Sequence, residues 1–155
     1  MTENKTVDYS AERMKHILGR YEHNAGTYYK DMLENAAKYD GMELRQMSKL
    51  TQNLLKAVDY DRAKKKREEN YRILGELLPS ESIFNQTVPE GPFAYPYFHA
   101  DGMKLRRHLA EKKIFVPTYW KNIIENSETK SLEYTWVANI LPLPCDQRYS
   151  CLLYT

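Results

Sequence analysis

PFAYPYFHADGMKLRRHLAEKKIFVP, the stretch from Pro92 to Pro117, decides the fold class of this chain. Its opening residues, Pro92 to Ala100, are aromatic and read as an extended strand. Pro96 inside that strand marks an edge or a bulge, because proline has no N–H to give to a ladder. Asp101 then opens a helix with Met103, Leu105 and Leu109 on its apolar face, Arg106 and Arg107 outside, and Lys112 and Lys113 at its end. Ile114 to Pro117 reads as a second short strand. After a polar helical stretch from Lys121 to Ser131, YTWVANILPLP supplies a third extended segment up to Pro144. Strands alternating with helices in this order predict an α+β fold: a small mixed β-sheet with helices packed on one face.

Upstream of a connecting loop at 80–92, which holds Pro89, Gly91 and Pro92, the chain is helical. Met14, Leu18, Tyr21, Ala25, Tyr28, Met32, Ala36 and Tyr39 recur at spacings of three and four and form one Tyr-rich stripe. Gly19 and the Asn24-Ala25-Gly26 stretch weaken that pattern and divide it into two helices. Asp40-Gly41 ends the unit. Ser48 caps a following helix through Leu50, Leu54, Leu55 and Val58, and Asp59 caps another that runs to about Leu78 with Tyr71, Leu74, Leu77 and Leu78 on one face. The expected division is a helical arm at 1–58 and a small α+β domain at 59–155.

Composition narrows the function classes. Lys+Arg 23 against Asp+Glu 21 leaves a net charge of +2, too balanced for a protein that coats nucleic acid or an anionic membrane. The run Arg62 to Arg67 is read as a solvated helical face, paired Lys64–Glu68 and Lys65–Glu69 one turn on. The mean hydropathy is −0.72, no apolar stretch reaches membrane-spanning length, and the polar N-terminus does not read as a signal peptide, so a soluble cytoplasmic protein is expected. Cys145 and Cys151 are read as reduced thiols. His16, His23, His99 and His108 lack metal-ligand spacing, there is no phosphate-binding glycine loop, and no acid/base pair stands out, so neither a metal site nor a catalytic residue is nominated.

MSKLTQNLL (Met47 to Leu55), RAKKKREENYRIL (Arg62 to Leu74), PFAYPYF (Pro92 to Phe98), IFVPTYW (Ile114 to Trp120) and LPLPCDQRY (Leu141 to Tyr149), taken in order and spacing, resemble one family. They look like the C-terminal part of a fold-type I pyridoxal-phosphate-dependent aminotransferase of the sugar aminotransferase type (DegT/DnrJ/StrS), over about residues 10–149. The resemblance implies an aminotransferase small domain that closes the substrate side of an active site. It also implies pyridoxal phosphate for the complete family protein, held by a large domain that supplies the Schiff-base lysine. This sequence begins with Met1 at what resemble the inter-domain helices and ends at Thr155, short of a final helix, and no lysine matches a cofactor-lysine motif. The expectation is therefore a chain that binds no cofactor alone and is inactive by itself, partnered in a homo-oligomer or with a large pyridoxal-phosphate-binding domain or chain.

The resemblance places Tyr119 and Trp120 at the substrate mouth, and Asp146, Gln147 and Arg148 in the same cleft, where Arg148 holds a carboxylate or phosphate oxygen bidentately. The competing expectation is structural. Tyr119 and Trp120 pack between a strand and the next helix, and Arg148 caps a turn or pairs with Asp146. A different class of function stands beside the enzymatic one: a non-enzymatic helical interaction module that presents the stripe of 14–39 to a protein partner.

Overall fold

The computed structural model describes residues 6–24, 26–78 and 87–149. The chain forms two compact units, Met1–Val58 and Asp59–Thr155. Ala25 and Cys151 lie outside the described residues.

The first unit holds α1 (Ser10–Glu22), α2 (Tyr29–Ala37) and α3 (Lys49–Lys56), with α1 packed on both of the others. The break after α1 has a local cause. The Asn24 side chain accepts hydrogen bonds from the Thr27 N–H at 2.9 Å and the Thr27 hydroxyl at 3.0 Å, a turn that competes with the helix. Gly19, which weakens the helix in sequence terms, is buried because the Tyr28 ring occupies the space a Cβ would need. Ser48 caps α3 by accepting from the Thr51 N–H at 3.1 Å, and its hydroxyl lies 2.6 Å from that of Ser10. Among the described residues of this unit only Gly19 and Ser48 are buried. The stripe is open in part: Tyr21 is 92% exposed and Leu18 and Tyr39 are exposed as well, while Met14, Tyr28 and Met32 are half-buried.

The second unit begins with α4 (Tyr60–Leu77), capped by Asp59, whose carboxylate accepts from the Arg62 N–H at 2.9 Å. It continues through β1 (Ala94–Phe98), α5 (Gly102–Glu111), α6 (Lys121–Asn126), α7 (Leu132–Asn139) and β2 (Ile140–Pro144). The strands pair antiparallel, Ala94 opposite Pro144 through Phe98 opposite Ile140, one residue to one, so Pro96 makes no bulge. Pro96 faces Pro142, and Pro144 stands two residues on. All three missing donors therefore point to the outer edges, and Tyr95–Leu143 and Tyr97–Leu141 are left for the ladder.

Period-two alternation assigns the two faces of this sheet. Tyr95, Tyr97, Leu141 and Leu143 share one face, which packs on Tyr71 and Leu74 of α4 and on Cys145. Tyr71 and Tyr95 meet edge to face with centroids 4.9 Å apart, a contact worth about 1 kcal/mol beyond area burial. Ala94, Pro96, Ile140, Pro142 and Pro144 lie on the opposite face.

Four of the sequence expectations are corrected here. Ile114 to Pro117 is not a strand, and the sheet is two-stranded and antiparallel rather than mixed. The cause is the end of α5, where Lys113 turns left-handed (φ 63°) and donates to the Ala110 carbonyl at 2.9 Å, while Ile114 donates to Leu109 at 2.8 Å. This two-bond cap consumes the Ile114 N–H, and Pro117 has none, so the segment loses half of its ladder donors. The third extended segment is strand only from Ile140. Residues 132–139 are helical despite their β-branched and aromatic content. Ser131 caps α7 by accepting from Tyr134, and the Arg106 guanidinium binds the Ala138 and Ile140 carbonyls at 3.3 and 2.9 Å, satisfying the other end. The Arg62–Arg67 face also differs from expectation. Lys64 pairs with Glu90, Lys66 with Glu69 at 2.7 Å, and Glu68 accepts from the Gly91 N–H, tying α4 to the loop before β1.

Candidate functional site

The proline-bearing face of the sheet floors two neighbouring cavities that meet at Tyr119. The larger, about 400 Å³, is lined among others by Tyr119, Asp146, Gln147, Arg148, Arg67 and Phe93. The smaller, about 300 Å³, is lined by Tyr119 and Trp120 together with side chains of α6 and α7. Four of the five residues nominated from sequence thus share one cavity. Trp120 belongs to the other.

The 145–149 turn owes its shape to two anchors. Locally, the Asp146 carboxylate accepts from the Arg148 N–H at 2.9 Å, and the Tyr149 N–H closes on the Asp146 carbonyl at 3.2 Å. From α4, the fully buried Asn70 directs its amide nitrogen at the carbonyls of Asp146, Cys145 and Tyr149, at 2.9, 3.3 and 3.2 Å. Cys145 itself is buried, with its thiol 3.5 Å from the Pro92 carbonyl. Burial pushes the thiol's pKa up.

Arg148 does not present an open fork. Its Nε and Nη2 hold both Asp146 oxygens at 2.9 Å, so the bidentate geometry expected for a ligand is already taken by its neighbour. Hydrogen bonding to Arg148 holds the Asp146 carboxyl below its usual pKa, and the pairing raises that of Arg148. The cation that remains available is Arg67. It is half-buried on α4, where Nε donates to Gln147 Oε1 at 2.9 Å and Nη1 to the Pro92 carbonyl at 3.1 Å. Both acceptors are neutral, which leaves the guanidinium charge for an anion. Sequence reading passed over Arg67 as part of a solvated run. The available signal was helical phase: Arg67, Asn70, Tyr71 and Leu74 fall on one face, and a cation on the buried stripe of a helix is not a solvent-facing one.

Aromatic rings form the walls. Phe93 and Tyr119 lie 6.2 Å apart at 38°, and Tyr119 and Trp120 meet edge to face at 5.9 Å and 74°. Trp120 sits in the left-handed region, φ 53° and ψ 49°, at a cost of about 1–2 kcal/mol for a residue with a side chain. The strained backbone leaves the indole 70% exposed rather than packed away between strand and helix.

The chain matches no family model, no curated protein and no solved structure. Among the described residues there is no group of three or more His, Cys, Asp or Glu side chains that could hold a metal ion, and no helix long and apolar enough to cross a membrane. Among the described residues that line these two cavities there is no lysine.

Proposed function

We propose that this chain is the small-domain portion of a pyridoxal-phosphate-dependent, sugar aminotransferase-like protein, with the cytoplasm as its location. It forms the substrate side of an active site whose lysine and cofactor come from a separate large domain or chain, and it is inactive by itself. The carrying observation is the convergence of Tyr119, Asp146, Gln147 and Arg148 on one cavity beside Arg67. In this reading Arg67 draws in an anionic group of the substrate. The Asp146–Arg148 pair sets the shape of the rim, and Phe93 and Tyr119 provide flat apolar contact.

The test is isolation of the tagged chain from its source, with an absorbance spectrum of the eluate, borohydride reduction, and mass spectrometry of the labelled lysine. The expected result is a Schiff-base chromophore reduced onto a lysine of a retained partner. Replacing Arg67 by Ala should then raise KM for the amino acceptor by about 10-fold or more, the value of one charge-assisted contact. A retained assembly without chromophore, or label on any lysine of this chain, overturns the reading.

A second reading rests on the exposed residues of the stripe in the first unit, Leu18, Tyr21 and Tyr39. It makes the chain a non-enzymatic helical interaction module, and it predicts self-association that Leu18→Glu with Tyr21→Glu abolishes. A concentration-independent monomer by light scattering would rule it out.

A further inference from the structure

The smaller cavity differs in chemistry from the larger one. Its walls are Tyr119, Trp120 and Trp136 with Val137 and Ile140, and among its lining residues Glu133 is the one charged group. Tyr119 and Trp120, both lining the cavity, stand nearly perpendicular, at 74°, and so do not form a flat stack. Trp136 of α7 lines the same space, and Glu133, one turn earlier on that helix, contributes a carboxylate. No ion pair neutralises Glu133 among the described residues. Trp120 is displayed by a strained left-handed backbone, and such outliers persist where the surroundings hold them, often at binding sites.

Aromatic rings around a space with an exposed carboxylate on its wall make a negative environment, which suits a cation whose own hydration is weak. At about 300 Å³ the cavity is at the small end of ligand sites. From these observations we infer that the pocket of Tyr119, Trp120, Trp136 and Glu133 binds a small organic ammonium ion, of the quaternary or methylated type. The three rings hold the cationic head, and Glu133 balances its charge. The proposal calls on no lysine and no cofactor; Tyr119 is common to both cavities, whereas Trp120, Trp136 and Glu133 line this one and not the larger.

The chain's only tryptophans, Trp120 and Trp136, both line this cavity, so intrinsic tryptophan fluorescence reports on it directly. The probes are choline, its neutral isostere 3,3-dimethylbutan-1-ol, and phosphatidylcholine vesicles, titrated into the full-length chain at constant chloride. The expected result is a saturable change with choline and binding of the isostere weaker by ~10-fold or more, the discrimination that charge over ring faces supplies. Glu133→Gln should weaken choline several-fold and leave the isostere unchanged. Trp120→Gly relieves the left-handed strain, so it should fold at least as stably as the parent while losing ~10-fold in choline affinity, read from Trp136. Equal affinity for choline and its isostere would reduce the pocket to an apolar cleft. A response to vesicles alone would point to a lipid surface. Either result, or no binding at all, overturns the inference.

Discussion

Asn70 offers a stringent test of how the candidate site is held. It is fully buried on α4, and its amide nitrogen faces the carbonyls of Cys145, Asp146 and Tyr149, the segment that carries Asp146, Gln147 and Arg148. The amide has two hydrogens for three acceptors, so it can make two good bonds at a time, each worth about 1 kcal/mol net. Asn70→Ala removes both and leaves the Cys145 carbonyl in a dry setting, which predicts a loss of about 2–3 kcal/mol. Asn70→Asp keeps the shape and replaces the donor with a carboxylate facing three carbonyl oxygens. That should cost more than the alanine variant at neutral pH, because an unpaired charge is then buried.

The sign of the pH dependence follows. The surrounding carbonyls raise the folded-state pKa of the introduced acid, so the folded form binds its proton more tightly than the unfolded form does. Stability should therefore be highest below the ordinary aspartate value of about 3.9 and fall as the pH rises through the elevated folded value. Urea unfolding followed by tryptophan fluorescence reads the second unit, where both tryptophans lie. A change below about 0.5 kcal/mol for Asn70→Ala, or Asn70→Asp more stable than Asn70→Ala at pH 7, would show that the amide does not anchor the turn.

Three further outcomes are expected from the same unit. Gly102→Ala places a Cβ 2.5 Å from the Asn139 Cα and 2.8 Å from the Ala138 carbonyl, backbone atoms that cannot swing aside, so it should cost about 1–3 kcal/mol in urea unfolding. An unchanged midpoint would mean that α5 and α7 do not meet as closely as described. Asp146 is held deprotonated by its Arg148 hydrogen bonds, so its contribution is present above pH ~4 and is lost as pH falls through its depressed folded value. Asp146→Asn should accordingly flatten the acid limb of the stability profile below pH ~4, whereas a profile that superimposes on the parent would argue against the pair. Cys145 is buried and its pKa is pushed up by that burial, so a disulfide reagent should label it slowly in native buffer and rapidly in urea. Rapid native labelling would contradict the packing against Pro92.

Much of the secondary structure was legible in the residues themselves. Ser48 and Asp59 start α3 and α4, and Asn24 stops the first helix from running on, because each acts through a hydrogen bond to a backbone N–H three residues away. The pairing of Arg148 with Asp146 is equally local and was one of the two readings open for that arginine. The strand β1 was legible in its aromatic content, and β2 as the end of the extended segment that closes at Pro144.

What lay beyond the sequence depends on partners distant along the chain. Residues 132–139 are helical because Arg106 and Ser131 satisfy the two ends of α7, and one of these comes from another helix. Ile114 leaves the sheet because α5 takes its N–H, and Lys64 turns from its own helix to Glu90. Arg67 becomes the available cation of the larger cavity because Gln147 and Pro92, 80 and 25 residues away, hold it with neutral oxygens. Sequence alone determined where α3 and α4 begin and where the first helix breaks, since those are matters of bonds within one turn. Which charges are spent and which stay open, and which rings enclose a cavity, only the tertiary structure decided, because those follow from what the fold brings against each side chain.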